Sequence, residues 1–154
     1  MVLHALNHFA VYKMDSTDLK ALAMNRLNIA TQMLEKTYLL VNEPKLFLGV
    51  IDNAYGAFDI LMTGMLEKNG ISFDGNDHYS KISLFEGLHH NADATSFIKA
   101  LRSTLDRHAD ASVEFIRNEK FIISDSDYNI VELSFDNVKK TLADAHKCLG
   151  QLTS

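Results

Sequence analysis

The chain of 154 residues contains one cysteine, one proline, seven glycines and no tryptophan. A single cysteine excludes a disulfide framework and any zinc site built from several cysteines. The scarcity of proline and glycine disfavours an all-β sandwich, which needs a turn roughly every 8–12 residues. A chain of this length can bury about 70% of its extended-chain surface, so we predict one domain over residues 1–154.

Signals for membrane insertion and secretion are also missing. No run approaches the roughly 18 uninterrupted apolar residues of a membrane-spanning helix. The apolar opening, residues 1–14, has no basic region and no small-residue cleavage site, so we interpret it as the N-terminal arm of a cytoplasmic protein. The 15 basic and 20 acidic residues give a net charge of -5. This balance argues against avid non-specific binding of nucleic acid and leaves room for a local basic cleft.

Helical periodicity dominates the rest of the chain. Apolar residues recur at three- and four-residue spacing in four long segments and one short one, at about 15–41, 44–69, 78–90, 93–118 and 134–152. Residues that can cap helices precede these segments: Asp15 or Ser16, Asp77, Asn91 or Asp93, and Ser134. The stretch 120–133 is rich in β-branched residues and has no helical period, so we interpret it as an extended connection. The prediction is an all-α fold, an up-down four-helix bundle with one extra short helix.

The second segment has an unusually broad apolar face between Leu46 and Leu66. A helix that is apolar over so much of its circumference is central in its own bundle or meets a second chain. Together with the apolar arm, this face predicts a homodimer.

Several patterns that carry chemistry in other proteins occur here only in fragments. Glu86 and His89 form one Glu-x-x-His pair, whereas a two-metal bundle site needs two such pairs and further carboxylates, so we expect no metal. Cys148 lies beside an apolar stripe without an evident base, which favours a packing role. The sequence has no nucleophile elbow and no phosphate-cradling glycine loop, and we expect no cofactor.

Arg102 and His108 are the candidate catalytic pair, in a metal-independent ribonuclease. An imidazole can act as general base on a 2′-hydroxyl while a guanidinium holds the phosphate. Six residues apart in an unbroken helix, the two side chains differ by about 240° around the axis, so a shared cleft would need a partner's copy. Arg102 and Asp106 are also spaced as a plain i,i+4 ion pair. The spacing alone favours the alternative, a solvated face of mixed charge.

Three segments, read in order, resemble the HEPN superfamily of small helical domains. The first is NEPKLFLGVIDNAYGAFDILMTGMLEKNG, with an Ala-Tyr-x-Ala core at residues 54–57 and a final glycine at Gly70. The second is DHYSKISLF, similar to the short helix that follows in the family. The third is IRNEKFIISDSDYNIVELSFDNVKKTLADAHKCL, with an Arg-Asn element, an Asp-Tyr pair and a closing helix.

The resemblance implies a dimeric four-helix bundle with a cleft at the dimer junction. Many HEPN proteins are ribonucleases of toxin or defence systems, whereas others bind RNA, nucleotides or a partner such as a minimal nucleotidyltransferase or an antitoxin. The ribonucleases of the family carry an arginine that a histidine follows four to six residues later. Here no histidine follows Arg117 at that spacing, which favours a non-catalytic binder or a pure interaction adaptor over a nuclease. The resemblance makes Arg117, Asn118, Asp127 and Tyr128 the candidate ligand-binding residues. Equally, Asn118 can cap a helix and Asp127 can pair with Arg117 for purely structural reasons.

Overall fold

The computed structural model of the chain describes residues 15–37, 46–109, 113–117, 119–124 and 130–153. In these residues the chain forms five helices and three strands. The helices are α1 (Ser16–Thr37), α2 (Phe47–Lys68), α3 (His78–His89), α4 (Ala92–Ala109) and α5 (Phe135–Leu152). The strands are β1 (Val113–Arg117), β2 (Lys120–Ser124) and β3 (Ile130–Leu133). The N-terminal arm, residues 1–14, and Pro44 lie outside the described residues.

The first two helices form an antiparallel pair, as their short connection predicts. Leu19 at the start of α1 lies against Gly64 near the end of α2, and Met33 near the end of α1 lies against Gly49 near the start of α2. A Cβ atom at Gly64 would stand 2.4 Å from Leu19 Cδ2, so this crossing admits glycine alone without rearrangement.

Helix α2 is the centre of the bundle. It packs against α1, α3, α4 and α5, and its buried residues extend from Phe47 to Leu66. The broad apolar face of α2 is therefore covered within the chain itself. Leu46, just before the helix, is the exposed exception at 40%.

Four of the helices begin at a capping residue that the sequence predicts. The Asp15 carboxylate accepts a hydrogen bond from the Asp18 N–H, and Asp77 accepts one from the Ser80 N–H. Asn91 accepts from the Ala94 N–H, and Ser134 forms a capping box with Asn137. Gly70 has the positive φ of +67° that the end of the second segment predicts. Local chemistry therefore fixes where these helices begin and end.

The mostly helical prediction is confirmed, but the all-α prediction is wrong in one region. Helix α4 ends at Ala109 rather than near residue 118, and the stretch after it forms strand β1 of an antiparallel sheet in the order β1-β2-β3. Val113 pairs with Ser124 and Arg117 pairs with Lys120, and Glu119, just before β2, has φ +64°. The extended connection proves to be strands β2 and β3.

One face of the sheet closes an end of the core. Phe121, Ile123 and Leu133 are buried among the helices. The pairing register places Arg117, Lys120 and Glu132 on the opposite face. Lys120 Nζ lies 3.7 Å from the Glu132 carboxylate there.

Candidate functional site

Five polar side chains from three helices converge where α2, α3 and α4 meet. Tyr55 comes from α2, His78 and Tyr79 from the start of α3, and Arg102 and Asp106 from the last turns of α4. We call this group the arginine–aromatic cluster. It is the densest set of interacting ionisable groups among the described residues.

Arg102 is held in place on two sides. Its guanidinium carbon lies 5.0 Å from the centroid of the Tyr55 ring, within the range of a cation–π contact. Its Nε and Nη2 atoms each lie 3.0 Å from Asp106 Oδ1. The side chain is only 17% exposed, so the cation is largely withdrawn from water in one orientation.

The two tyrosines link this cation to helix α3. The Tyr79 hydroxyl donates to the second oxygen of Asp106 at 2.7 Å. The Tyr55 hydroxyl and His78 Nδ1 are 3.1 Å apart, and their rings meet edge to face with centroids 5.6 Å apart. The contacts thus form a chain from His78 through Tyr55, Arg102 and Asp106 to Tyr79.

The neighbouring residues shift the pKa of three of these groups. Burial, followed by the nearby charge of Arg102, lowers the pKa of His78, so the neutral imidazole is favoured at pH 7. Burial and the Asp59 carboxylate raise the pKa of Tyr55 well above its usual range. Burial and the hydrogen bond to Asp106 raise the pKa of Tyr79 to about 12. Both tyrosines are therefore protonated donors at neutral pH.

A buried lysine lies next to the cluster. Lys81 is 4% exposed, and its ammonium donates to Asp59 Oδ1 at 2.7 Å and to Thr63 Oγ1 at 3.2 Å. The same ammonium lies 5.3 Å from the Phe73 ring centroid. These contacts satisfy the charge within the fold, so Lys81 fastens α3 to α2.

Arg102 and His108, the candidate catalytic pair, contact different residues. Arg102 belongs to the cluster, whereas His108 Nδ1 lies 2.9 Å from the Glu114 carboxylate without the alignment of a hydrogen bond. The His108 ring also meets Phe121 edge to face at 6.0 Å. The imidazole within the arginine–aromatic cluster is that of His78.

Of the ligand-binding residues that the resemblance implies, the structure describes Arg117 alone. Its side chain is exposed at the end of β1. Asn118, Asp127 and Tyr128 lie outside the described residues. Within the described ranges, no contact joins Arg117 to the arginine–aromatic cluster.

Sequence reasoning missed His78, Tyr79 and Asp59 as site residues, although part of the signal was present. Tyr55, Asp59 and Thr63 recur every four residues along the otherwise apolar α2, which marks a polar stripe on one helix face. What the sequence does not encode locally is which helix this stripe faces. Tyr79 at the start of α3 is 42% exposed, while the charged Lys81 two residues later is buried.

The described residues contain neither a metal centre nor a membrane-spanning helix. In the part of the chain that the structure describes, no group of three histidine, cysteine or acidic side chains is arranged to hold a metal ion. His89 instead packs its ring 4.9 Å from that of Phe85. Among the same residues, no helix combines the length and apolar character needed to cross a membrane.

Comparison of the chain with protein-family models, with curated proteins and with solved structures finds no match.

Proposed function

We propose that the protein is a non-catalytic, HEPN-like helical module that binds a nucleotide or a single-stranded RNA segment at the arginine–aromatic cluster. One observation carries the proposal: a single guanidinium, that of Arg102, is fixed between Tyr55 and Asp106 beside the exposed ring of Tyr79. A fixed arginine and an accessible aromatic ring are the two elements that protein sites use for a phosphate and an unstacked base.

Arg102 has donors left for a phosphate. A guanidinium carries five N–H groups, and the contacts with Asp106 involve only Nε and Nη2. Because Asp106 and Tyr55 already fix the side chain, a ligand would not have to order it, which lowers the entropic cost of binding. We therefore assign the phosphate to Arg102.

Tyr79 supplies the surface for a base. Its ring is 42% exposed, while its hydroxyl is held by Asp106, so the ring is both accessible and fixed. Stacking of a base on such a ring contributes about 1–3 kcal/mol and tolerates any base. The cluster then prefers single-stranded RNA or a free nucleotide to a duplex, whose bases are already stacked.

The state of His78 supports binding without cleavage. The Tyr55 hydroxyl has no other hydrogen-bond acceptor among the described residues, so we assign it as the donor to His78 Nδ1. The neutral imidazole then carries its proton on Nε2. A ring in this state can donate to a phosphate oxygen, but it has no free lone pair with which to take a proton from a 2′-hydroxyl.

The test measures binding of a fluorescein-labelled 12-nucleotide RNA and of AMP to the full chain, at low salt and with a chelator present. Arg102→Gln should weaken binding of both ligands about tenfold or more, because a hydrogen bond to a charged group contributes about 1.5–3 kcal/mol. Lys99→Gln is the matched control, since it removes one positive charge from the same helix without altering the cluster. It should change the affinity less than about twofold, and the RNA should remain intact on a gel.

Other outcomes distinguish the rivals. Equal losses from Arg102→Gln and Lys99→Gln would mean unspecific electrostatic attraction and would refute the site. A loss from Arg117→Gln alone would move the site to the hairpin, where the family resemblance places it. RNA cleavage that His108→Ala or His78→Ala abolishes would establish a ribonuclease. Co-purification of one protein without any RNA or nucleotide affinity would establish an adaptor.

The proposal includes a homodimer and a role in a toxin–antitoxin or defence system, with a nucleotidyltransferase-type or antitoxin partner. Since α2 is covered within the chain, dimerisation rests on the N-terminal arm and on the family resemblance. Light scattering should give about twice the mass of one chain, and deletion of residues 1–14 should return the monomer. A monomer for the full chain at micromolar concentration would refute the dimer.

A further inference from the structure

A cavity lies between α1 and α5 and shares no residue with the arginine–aromatic cluster. Its volume is about 320 Å³, at the lower end of the range of small-molecule sites. Leu34, Phe135 and Leu142 give it an apolar wall. Leu34 and Leu142 are nearly fully buried, while Phe135 is 38% exposed at the mouth.

A polar pair is built into this apolar wall. Thr31 Oγ1 donates to the Leu27 carbonyl at 3.2 Å and lies 3.1 Å from His146 Nε2. We assign the single proton of the Thr31 hydroxyl to the bond with Leu27, so that the Thr31 oxygen accepts from His146 Nε2–H. In that tautomer the lone pair of the imidazole is on Nδ1, which accepts hydrogen bonds.

Two opposite charges flank the cavity from different helices. Glu35 comes from α1 and Lys139 from α5, and both line the cavity. Within the described part of the chain, they make no ion pair with each other or with a third residue. The cavity thus offers one anion and one cation on facing helices, with an apolar surface between them.

We infer that this cavity binds a free α-amino acid with an apolar side chain, of the size of leucine. The ligand's carboxylate pairs with Lys139, its ammonium pairs with Glu35 and the His146 acceptor, and its side chain packs on Leu34 and Leu142. Both charges are on exposed side chains, so a simple fatty acid or amine would pair with only one of them, whereas an amino acid pairs with both.

The volume supports this size. Small-molecule sites have volumes of about 300–1,000 Å³, so a cavity of about 320 Å³ suits a ligand of roughly the size of an amino acid. Leucine is of this size, whereas a nucleotide is more than twice as large. The ligand of this cavity is therefore distinct from that of the arginine–aromatic cluster.

Isothermal titration of the full chain with four probes tests the inference. L-leucine carries both charges, 4-methylpentanoate lacks the ammonium, 3-methylbutylamine lacks the carboxylate, and glycine lacks the apolar body. We expect leucine to bind with a Kd in roughly the millimolar range, as befits so small a ligand. Each of the other probes should bind at least about threefold more weakly.

Single substitutions test which side chain pairs with each charged group of the ligand. Lys139→Gln should weaken leucine about two- to fivefold without affecting 3-methylbutylamine, and Glu35→Gln should weaken leucine without affecting 4-methylpentanoate. Lys140→Gln, next along α5 and outside the cavity, is the matched control and should leave all affinities unchanged. Two outcomes would overturn the inference: 4-methylpentanoate binding as tightly as leucine, or no binding of any probe at about 10 mM.

Discussion

The contact between Gly64 and Leu19 gives the sharpest test of how the central helix is seated. In Gly64→Ala the new Cβ would stand 2.4 Å from Leu19 Cδ2, 2.8 Å from Cδ1 and 3.1 Å from Cγ. Carbon atoms in contact are ordinarily about 3.5–4.0 Å apart, so Leu19 would have to retreat by about 1 Å. Leu19 is fully buried and the overlap reaches its Cγ, so a rotation of its methyl groups does not remove the clash.

Two opposing terms set the size of the effect. Overpacking of a core costs about 1–3 kcal/mol, whereas replacing an interior helical glycine by alanine stabilises the helix by about 0.8–1 kcal/mol. Gly150→Ala is the matched control, since Gly150 lies in α5 with no atom within 4 Å of the added Cβ. Because both variants gain helix propensity, the difference between them, about 1–3 kcal/mol, measures the overpacking.

Urea unfolding followed by circular dichroism gives the free energy of unfolding of each variant. In a domain of this size each 1 kcal/mol corresponds to a change in Tm of roughly 2–4 °C, which is readily resolved. In a Leu19→Ala background the clash has no partner, so Gly64→Ala should there be neutral or stabilising. Equal stabilisation by Gly64→Ala and Gly150→Ala in the otherwise native chain would refute the close crossing of α1 and α2.

Three further predictions concern titratable groups. Lys81→Met should lower the free energy of unfolding by about 1–3 kcal/mol in urea titrations, because Asp59 loses its charged donor; Asp59→Asn in the same background should restore part of the loss. Since the pKa of His78 is lower in the folded chain, stability should fall as the pH drops below about 6.5, and urea titrations should show a flatter profile for His78→Gln. Burial raises the pKa of the Cys148 thiol to about 11, so a disulfide reagent at pH 8 should label it only as fast as the chain opens; labelling at the rate of a free thiol would contradict its burial.

The helices were predictable because their signals are local. Asp77 and Ser134 each cap a helix through a backbone N–H three residues ahead, a contact that needs no tertiary structure. The apolar positions of α5 repeat at helical spacing, and they are the residues that the core buries. Such features are visible in any window of a dozen residues.

Strand β1 was not predictable in the same way, because its residues satisfy two patterns at once. Val113 and Ile116 continue the helical spacing of α4, yet both are β-branched and equally suit a strand. The segment forms a strand and not a helix because it pairs antiparallel with β2. Helical periodicity does not reveal this partner. Tertiary pairing therefore overrides the local pattern here.

The arginine–aromatic cluster was out of reach for a related reason. The sequence indicates Arg102 as a candidate, but the same helical segment offers only His108, six residues later, as its imidazole partner. The structure supplies His78 instead, 24 positions earlier in the sequence and joined to Arg102 through the Tyr55 ring. Contacts between helices depend on the packing of α2 against α3 and α4, which no short motif encodes.

The ion pair between Arg102 and Asp106 bears directly on the proposed binding of a phosphate by a chain of net charge -5. A free surface arginine would lose about 2 kcal/mol of rotamer entropy when it closed on a phosphate. Arg102 is already held by Asp106 through Nε and Nη2, so its side chain loses this rotamer entropy during folding and not on binding. Asp106→Asn separates the two effects of the carboxylate: it removes the opposing charge but keeps a hydrogen-bond acceptor. If Asp106 acts mainly by fixing the guanidinium, this variant should bind RNA as tightly as the native chain or more tightly, whereas Asp106→Ala, which frees Arg102, should bind it more weakly.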